Sequence, residues 1–464
     1  MFDRFHRIAL LAVAVTIVNA GAILDGAVGA ENRPPNLIVI MADDLGAKEL
    51  SCYGHQEHKT PRLDELAKTG VQFDTAYTAC ICHPTRFEIM TGQYGAKNGV
   101  YHFADRPGGP GKDSPEEQIV NHLTFGKVLK QAGYATAQAG KWQLTGKIPT
   151  LVVENGFDEY CMWAYAHNLP AGVKHTGGFE RGTKTSRFWH PSIVKNGKKL
   201  PTTMDDFGPD IYTDFVIDFA RRHKEEPFFI YYPMALTHSP YYSMPPSNPN
   251  EKEKFRHAKE KFQENVEYMD TLVGRIVDAL NEMGLREDTI VFFTGDNGTG
   301  GQGKGQPTEL GARVPMIVNC PGRVKPIGRT DALTDTSDVM PTLVELAGTS
   351  LPAGHEIDGH SIVPILTGEK SDVRDWIFSY LADRRVLRTK RYLLERNSPS
   401  DYGTLYDCGR SRDGTGYRDV TNSTDAKVMA VKQQFDKILA TQPVPEIRAA
   451  ANPNGKKGKK TAND

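Results

Sequence analysis

The chain has 464 residues, of which 39% are hydrophobic and 24% charged, with a formal net charge of −1. That length is ample for a large α/β domain with a smaller companion, so core burial is not limiting. The balanced charge excludes a global basic field for nucleic acid and a polybasic membrane surface, so any anion site depends on local placement of lysines and arginines.

Residues 1–30 read as an export signal. MFDRFHR is a short basic start, IALLAVAVTIV an apolar stretch, and AVGA supplies small residues for cleavage near Ala30. The apolar run is too short and poorly flanked for a stable span, and no cysteine follows the cleavage site to carry a lipid. The expectation is an exported chain, periplasmic or extracellular, with no membrane anchor. The six cysteines (52, 80, 82, 161, 320 and 408) are few for a disulfide scaffold of this size, although export permits one or two bridges. Cys80 and Cys82 as a soft-metal pair lack a second thiol or a histidine cluster at ligand spacing.

In PNLIVIMADDLG the run Leu37–Met41 is short, apolar and unalternating, which predicts a strand buried on both faces of a parallel sheet. Asp43 and Asp44 follow it. A helix is predicted over Pro61–Thr69, closed by Gly70. The stretch CICHPTRFEIMTG, residues 80–92, starts another helix. Pro84 suits its first turn, where a missing N–H costs nothing. Cys82 then falls at the cap, where free N–H groups and the helix dipole favour an anion, and Arg86 can point back to the same spot.

A strand followed by polar residues recurs along the chain. Tyr134–Ala139 precedes Gly140 and Lys141, Phe228–Tyr232 precedes His238, and Ile290–Phe293 precedes Asp296 and Asn297; a further strand lies near Met316–Val318. Helices are predicted over Leu123–Gln131, Ile211–Arg222, Glu253–Glu282 and Val339–Ala347. This alternation predicts an α/β fold with a large, mixed, mostly parallel sheet flanked by helices. Ligands of such sheets sit outside the strand carboxyl ends, where the polar residues above also fall. From about Ser371 the texture changes: WIFSYL, RVLRTKRYLLE and TLYDC read as short strands and DAKVMAVKQQFDKILATQ as an amphipathic helix. The predicted organisation is a signal at 1–30, a catalytic α/β domain at 31–370, a small α+β domain on an antiparallel sheet at 371–445, and a disordered polar tail at 446–464.

Asp43, Asp44, Asp296 and Asn297 offer only oxygen ligands. Three carboxylates and an amide gathered in one place repel unless a hard cation lies between them, so calcium or magnesium fits and zinc does not. Alone, a DD after a strand is an ordinary turn or cap and DNG an ordinary turn. At the ends of two buried strands they point to a metal, which makes the NGT glycosylation pattern at Asn297 fortuitous. Lys141, His238 and Lys304, the last in the glycine-rich GQGKGQPTELGARVP, would ring an anionic tetrahedral group with cations and a proton donor. Ester cleavage at phosphorus or sulfur requires such a ring.

CHPTR followed by MTG resembles the signature of the type I, formylglycine-dependent sulfatases, arylsulfatase-like members of the alkaline phosphatase superfamily. The resemblance extends in order through PNLIVIMADDLG, AGKW, TH, TGDNG and the Lys304–Arg313 stretch. It implies an alkaline phosphatase-like fold and the oxidation of Cys82, by a maturation enzyme, to a formylglycine whose hydrated aldehyde is the nucleophile. Asp43, Asp44, Asp296, Asn297 and the modified residue 82 would hold one divalent cation, calcium with magnesium as the alternative. Asp296 would take the proton of the attacking hydroxyl, and Arg86 would steady the hydrated aldehyde. Lys141 and Lys304 would clamp the sulfate, and His238, with Lys304, would protonate the leaving alcohol. The covalent sulfo-enzyme then expels sulfate. An oxygen nucleophile suits a hard cation better than a thiolate does.

Location implies a sulfated carbohydrate as substrate. GKWQLTG places Gln143 where the family carries a histidine that removes a proton for sulfate release, and glutamine is no base. His83, His102 and His167 stand as replacements; Thr85, in place of serine, keeps the hydroxyl. The rival readings are a phosphonate or phosphate ester hydrolase of the same superfamily and a non-catalytic binder of sulfated glycans, which only Gln143 favours. The stretch 154–203, with Trp163, His167, Arg181, Arg187, Trp189 and His190, is a candidate sugar-binding insertion and equally readable as ordinary loop packing.

Overall fold

The structure, a computed structural model, describes residues 33–103, 119–144, 151–164, 169, 172–174, 176, 186–398, 400–412 and 414–443. The signal and tail expectations, His167 and Arg181 lie outside them.

The strands of the large sheet are β1 (Asn36–Ala42), β2 (Val71–Tyr77), β3 (Ala135–Gly140), β4 (Glu159–Trp163), β5 (Ile193–Lys195), β6 (Lys198–Lys199), β7 (Phe228–Pro233), β8 (Thr289–Gly295), β9 (Arg313–Val314), β10 (Met316–Asn319) and β11 (Gly328–Asp335). Their order is β11-β2-β10-β8-β1-β7-β3-β4-β5-β6, with β9 beside β2. The centre β8-β1-β7-β3-β4 is parallel throughout; β10 runs antiparallel to both β2 and β8, so β2 again points the same way as β8. The sheet is therefore mixed and mostly parallel, as the alternation of strands and helices predicts.

Burial on both faces explains the unalternating strands. Leu37, Val39 and Met41 of β1 join one apolar cluster, with Phe87, Ile89 and Met90 of the Cys82–Thr91 helix and Leu343 of the Val339–Leu346 helix. Ile38, Ile40 and Ala42 join the other, with Leu63 of the Pro61–Thr69 helix, Phe215 of the Gly208–Arg222 helix and Met269 of the Phe262–Glu282 helix. Each such side chain removed from water contributes about 1.5–3 kcal/mol, which fixes the pleat register of β1 and hence the direction in which Asp43 leaves it. No described helix is long and apolar enough to cross a membrane.

A second, antiparallel sheet follows, with β12 (Ile377–Leu381), β13 (Arg384–Arg388), β14 (Tyr392–Arg396), β15 (Thr404–Asp407) and β16 (Arg418–Asp419) in sequence order. The Ala426–Ala440 helix, capped by the Asp425 carboxylate, lays Val428 and Phe435 against Phe378, Leu387, Leu394 and Leu405. This sheet also packs Ile377, Leu381 and Val386 against Tyr77, Cys80 and Leu333 near the carboxyl ends of β2 and β11.

The structure departs from the sequence expectations in two places. The long helix over Glu253–Glu282 is interrupted: Glu251–Lys254 forms one turn and the main helix begins at Phe262. Between them the Ala258 N–H donates to the Tyr241 carbonyl at 3.1 Å, and the Tyr241 N–H donates to His257 Nδ1 at 2.8 Å, so tertiary hydrogen bonds outweigh helix propensity. Cys82 is the first helical residue rather than the cap, because Ile81 holds the extended cap conformation. All six cysteines are free thiols.

Gly140, last in β3, has φ +86°, and a Cβ there would lie 2.2 Å from the Pro233 carbonyl oxygen, which accepts the Lys141 N–H at 2.7 Å. Gly140→Ala is therefore expected to lose about 1–3 kcal/mol of stability in urea unfolding, whereas Gly133→Ala, at a positive φ but with open space around it, is expected to lose less.

Candidate functional site

Four adjacent strands deliver most of the polar residues to one edge. β8 ends before Asp296 and Asn297, β1 before Asp43 and Asp44, β7 five residues before His238, and β3 directly before Lys141. Cys82 arrives from β2, whose carboxyl end points the same way, and Lys304 from the loop after β8. The residues predicted from sequence are thus brought together, although Asp44 and Lys304, which touch, lie 260 positions apart.

Asp43 accepts Lys141 Nζ at 2.9 and 2.7 Å on its two oxygens. Asp44, in the left-handed region with φ 61°, donates its N–H to Asp296 Oδ1 at 2.9 Å. Its carboxylate accepts Asn297 Nδ2 at 2.9 Å and Lys304 Nζ at 2.8 Å. Arg86, fully buried, donates Nη2 to Asp296 Oδ2 at 2.7 Å and Nη1 to the Lys141 carbonyl at 3.0 Å, with Asp43 Oδ1 3.6 Å away. His238 Nδ1 donates to the Ser239 carbonyl at 2.5 Å, which leaves Nε2 facing Asp44 Oδ2 at 3.5 Å.

Burial opposes the charge on Asp43 and Asp44, but Lys141, His238 and Lys304 around them hold both carboxyls below the usual range, with Arg86 adding to the pull on Asp43. Asp296 goes the other way: burial, then the Asp43 charge, push it up to about 7. Burial lowers His238 to about 4, while Lys304, despite its own burial, is held up by Asp44. At neutral pH the proton and charge on that side of the site therefore belong to Lys304. Burial also pushes the Cys82 thiol up against the pull of Lys141 and Lys304, so residue 82 as encoded is a neutral thiol and a weak nucleophile.

The donor set fits a hard divalent cation. Asp43, Asp44 and His238 bring one ligand atom each within 4.8 Å of one another. Asn297 Oδ1 is buried and accepts no hydrogen bond from the described residues, the condition of a carbonyl oxygen oriented for a cation. Asn297 itself is fully buried, which closes it to glycosylation.

The loops carrying these groups are tied to one another. Thr85 Oγ1 accepts Thr78 Oγ1 at 2.8 Å and lies 3.0 Å from the Ala79 carbonyl, so the hydroxyl at this position holds the turn that leads into Cys82. Ser379 of β12 donates to the Thr78 carbonyl at 2.5 Å, and the Cys80 N–H donates to the Tyr380 carbonyl at 3.3 Å. The Cys80 carbonyl in turn accepts the Gly305 N–H at 2.7 Å, beside Lys304.

Sequence reasoning missed Glu49 and Thr299. Thr299 Oγ1 donates to Glu49 Oε1 at 2.9 Å and accepts the Gly46 N–H at 3.1 Å, while its carbonyl accepts the N–H of Gln302, Gly303 and Lys304. The pair braces the Asp43–Asp44 loop against the loop of Asn297 and Lys304. His55 and His58 stack beside Glu49 with ring centroids 3.6 Å apart, a cluster whose HQEH spacing was legible. His55 Nδ1 accepts two backbone N–H groups, which puts that ring's proton on Nε2, whereas His58 Nδ1 donates to the Glu49 carbonyl.

Gln143 has φ 57°, and its carbonyl lies 3.1 Å from His83 Nδ1, which places His83 against the departure from the family pattern. In the insertion, Trp189 is buried, with Nε1 donating to the Ser243 carbonyl at 2.9 Å, and serves packing. Arg187 instead reaches the site, with Nη1 3.8 Å from Asp43 Oδ2.

A family model described as Sulfatase matches residues 35–349, and one described as N-sulphoglucosamine sulphohydrolase, C-terminal, matches 307–441. Arylsulfatase A of Homo sapiens is 32% identical over 378 residues, covering 75% of this chain and 71% of that protein. N-acetylgalactosamine-6-sulfatase of Canis lupus familiaris is 30% identical over 395 residues, covering 77% and 70%. The crystal structure of Ps i-CgsB in complex with k-i-k-neocarrahexaose shares the fold, with a TM-score of 0.71 at 23% identity over 89% of this chain and 94% of that one.

Thr299→Val removes the hydroxyl between a buried carboxylate and a buried N–H. It is expected to lose about 1–3 kcal/mol in urea unfolding, with Thr299→Ser close to the parent.

Proposed function

The chain belongs to the sulfatase family and is a sulfuric ester hydrolase, and we propose that it acts, after export, on a sulfate ester of a sulfated carbohydrate. The observation that carries the reading is the orphaned Asn297 Oδ1 among three buried carboxylates, ringed by Arg86, Lys141 and Lys304 beside Cys82. The carbohydrate follows from export and from the sugar sulfatase among the relatives. Export itself rests on the 1–30 segment, and residues 31–370 and 371–445 are taken as the catalytic domain and its companion.

In this reading Asp43, Asp44, Asp296, Asn297 and the oxygen of a formylglycine made from Cys82 hold one calcium ion, or magnesium. When bound, the cation draws charge from a sulfate oxygen and favours the ionised form of the attacking hydroxyl. The chain's own groups do the rest. Asp296 takes the proton of that hydroxyl. Arg86 steadies residue 82, and Lys141 and Lys304 hold the sulfate. The proton for the leaving oxygen comes from the His238–Lys304 pair, in which Lys304 carries the charge. His83, set against Gln143, takes the proton whose removal frees sulfate in the second half-reaction.

Matured protein, incubated with calcium and a panel of sulfated sugars and aryl sulfates beside the matching phosphate esters, is expected to release sulfate and little phosphate. Chelation is expected to abolish release, and calcium to restore it. Mass spectrometry of the Cys82 peptide is expected to show oxygen in place of sulfur and two hydrogens, and Cys82→Ala to be inactive. A silent panel with an unmodified Cys82 would favour the glycan-binder reading, and preference for phosphate the superfamily alternative. His83→Gln is expected to slow turnover by about 10²–10⁴-fold while preserving a first-turnover burst of alcohol, because only the second half-reaction needs that base.

A further inference from the structure

Tyr241 follows His238 closely in the chain, and the break before Phe262 in the long helix holds it in place. Its N–H donates to His257 Nδ1 at 2.8 Å, and its carbonyl accepts the Ala258 N–H at 3.1 Å. Its ring packs on those of His257 and Phe262, with centroids 5.4 and 5.0 Å away. The side chain is 8% exposed and anchored through everything except its hydroxyl. That oxygen makes no hydrogen bond to the described residues and is open to water. For packing alone a phenylalanine would fill the same space with no polar atom to leave unpaired.

The hydroxyl stands where the chemistry takes place. A Cβ on Gly300 would lie 3.2 Å from Tyr241 Oη and 3.4 Å from Asp44 Oδ2, so both oxygens border the space that the missing side chain leaves. Gly300 does not have a positive φ, and what the residue supplies there is room. Asp44 Oδ2 accepts Lys304 Nζ at 2.8 Å and lies 3.5 Å from His238 Nε2. The space therefore adjoins the pair that, in the sulfatase reading, protonates the leaving oxygen. A hydroxyl mounted this firmly loses little freedom when a ligand arrives, so its contact appears as selectivity.

Its protonation points to what it meets. Burial, and after it the Asp44 charge, push the phenol up to about 12, so it is neutral at any working pH. A neutral hydroxyl both donates and accepts, whereas the lysines and arginine around the sulfate only donate. The anion already has its cations in Arg86, Lys141 and Lys304. The natural partner of an unpaired phenol beside them is a group that also donates and accepts, and a sugar carries such a hydroxyl close to its ester.

We propose that Tyr241 hydrogen-bonds the hydroxyl of the leaving sugar nearest the scissile sulfate, and so selects which sugar and which position of sulfation the enzyme accepts. The proposal rests on the sulfatase reading of the same site and on a carbohydrate as substrate. Its test is a cycle between enzyme and substrate. Matured parent and Tyr241→Phe are assayed for kcat and KM on methyl glycosides of galactose, N-acetylgalactosamine, N-acetylglucosamine and fucose, each sulfated at one position. The one turned over fastest is then compared with its analogues that lack one hydroxyl each. The parent is expected to prefer the full sugar to the analogue without the nearest hydroxyl by about 3–10-fold in kcat/KM, through KM. Tyr241→Phe is expected to bring that ratio to about one and to leave the ratios for the other hydroxyls as they are. Because the ring keeps its contacts and the hydroxyl has no partner among the described residues, Tyr241→Phe is expected to melt with the parent enzyme. A ratio that survives in Tyr241→Phe overturns the proposal, whatever the overall activity of the variant. So does a parent enzyme that does not distinguish the full sugar from that analogue. Hydrolysis of para-nitrophenyl sulfate but of no sugar overturns the proposal and leaves the sulfatase reading standing, whereas silence on that ester and on every sugar overturns both.

Discussion

Three carboxylates, those of Asp43, Asp44 and Asp296, meet in a region from which water is almost wholly excluded, and the rest of the site answers that constraint. Like charges a few ångströms apart in a poorly polarisable interior repel strongly, and none of the three can turn to solvent. The chain therefore brings in compensation from three distant segments. Arg86 comes from the helix after β2, Lys141 from the end of β3 and Lys304 from the loop after β8. Each contact joins parts of the chain that only the finished sheet places side by side. The stability of the site and of the sheet are thus coupled, and the cations that balance the carboxylates are also those available to hold an anionic substrate.

The same coupling explains why the small sheet belongs to the chemistry although no predicted catalytic residue lies on it. Ser379 and the Tyr380 carbonyl hold Thr78 and Cys80, Cys80 holds Gly305, and the Thr299 carbonyl gathers the backbone N–H groups of Gln302, Gly303 and Lys304. Cys82 opens its helix at the end of that chain of contacts. Deleting or loosening the second sheet would free the turn on which residue 82 is mounted, even though the large sheet would keep its own core. Glu49 extends the bracing on the opposite side by fixing Thr299 to the loop of Asp43 and Asp44.

Much of this was legible in the sequence because the determining physics is local there. A short, β-branched apolar run with no alternation, ending abruptly in acids, suits a strand buried on both faces with a polar end, and β1 and β8 have that form. Proline and arginine after Cys82 likewise announce a helix start, although the cap falls one residue earlier, at Ile81. What escaped was non-local. The strand order β8-β1-β7-β3, which makes the segments adjacent, leaves no mark in any single stretch. β2 and β11 carry polar residues and pair with each other at the sheet's edge, so their patterns are diluted. Glu49 and Thr299 act through contacts across the fold, and a lone residue of such a type within a loop has no spacing to betray it. The break at Phe255–Ala258 belongs to the same class, since it exists for contacts with Tyr241.

The electrostatics also bear on why a cysteine is encoded at the centre at all. A helix N-terminus with Lys141 and Lys304 nearby ordinarily lowers a thiol's pKa, yet burial and the carboxylates of Asp296 and Asp43 outweigh them, and the thiol is pushed up. A thiolate there would also be a soft ligand amid hard oxygen donors, poorly matched to the cation that Asn297 Oδ1 and the aspartates suit. As a sulfur nucleophile, then, Cys82 is placed badly on both counts. Replacing sulfur with oxygen on the same carbon reverses both: a hydroxyl coordinates a hard cation, and its proton can pass to a neighbouring carboxylate such as Asp296. The surroundings of residue 82 thus suit the oxidised form of the side chain rather than the encoded one, which is the physical reason to read this cysteine as a precursor.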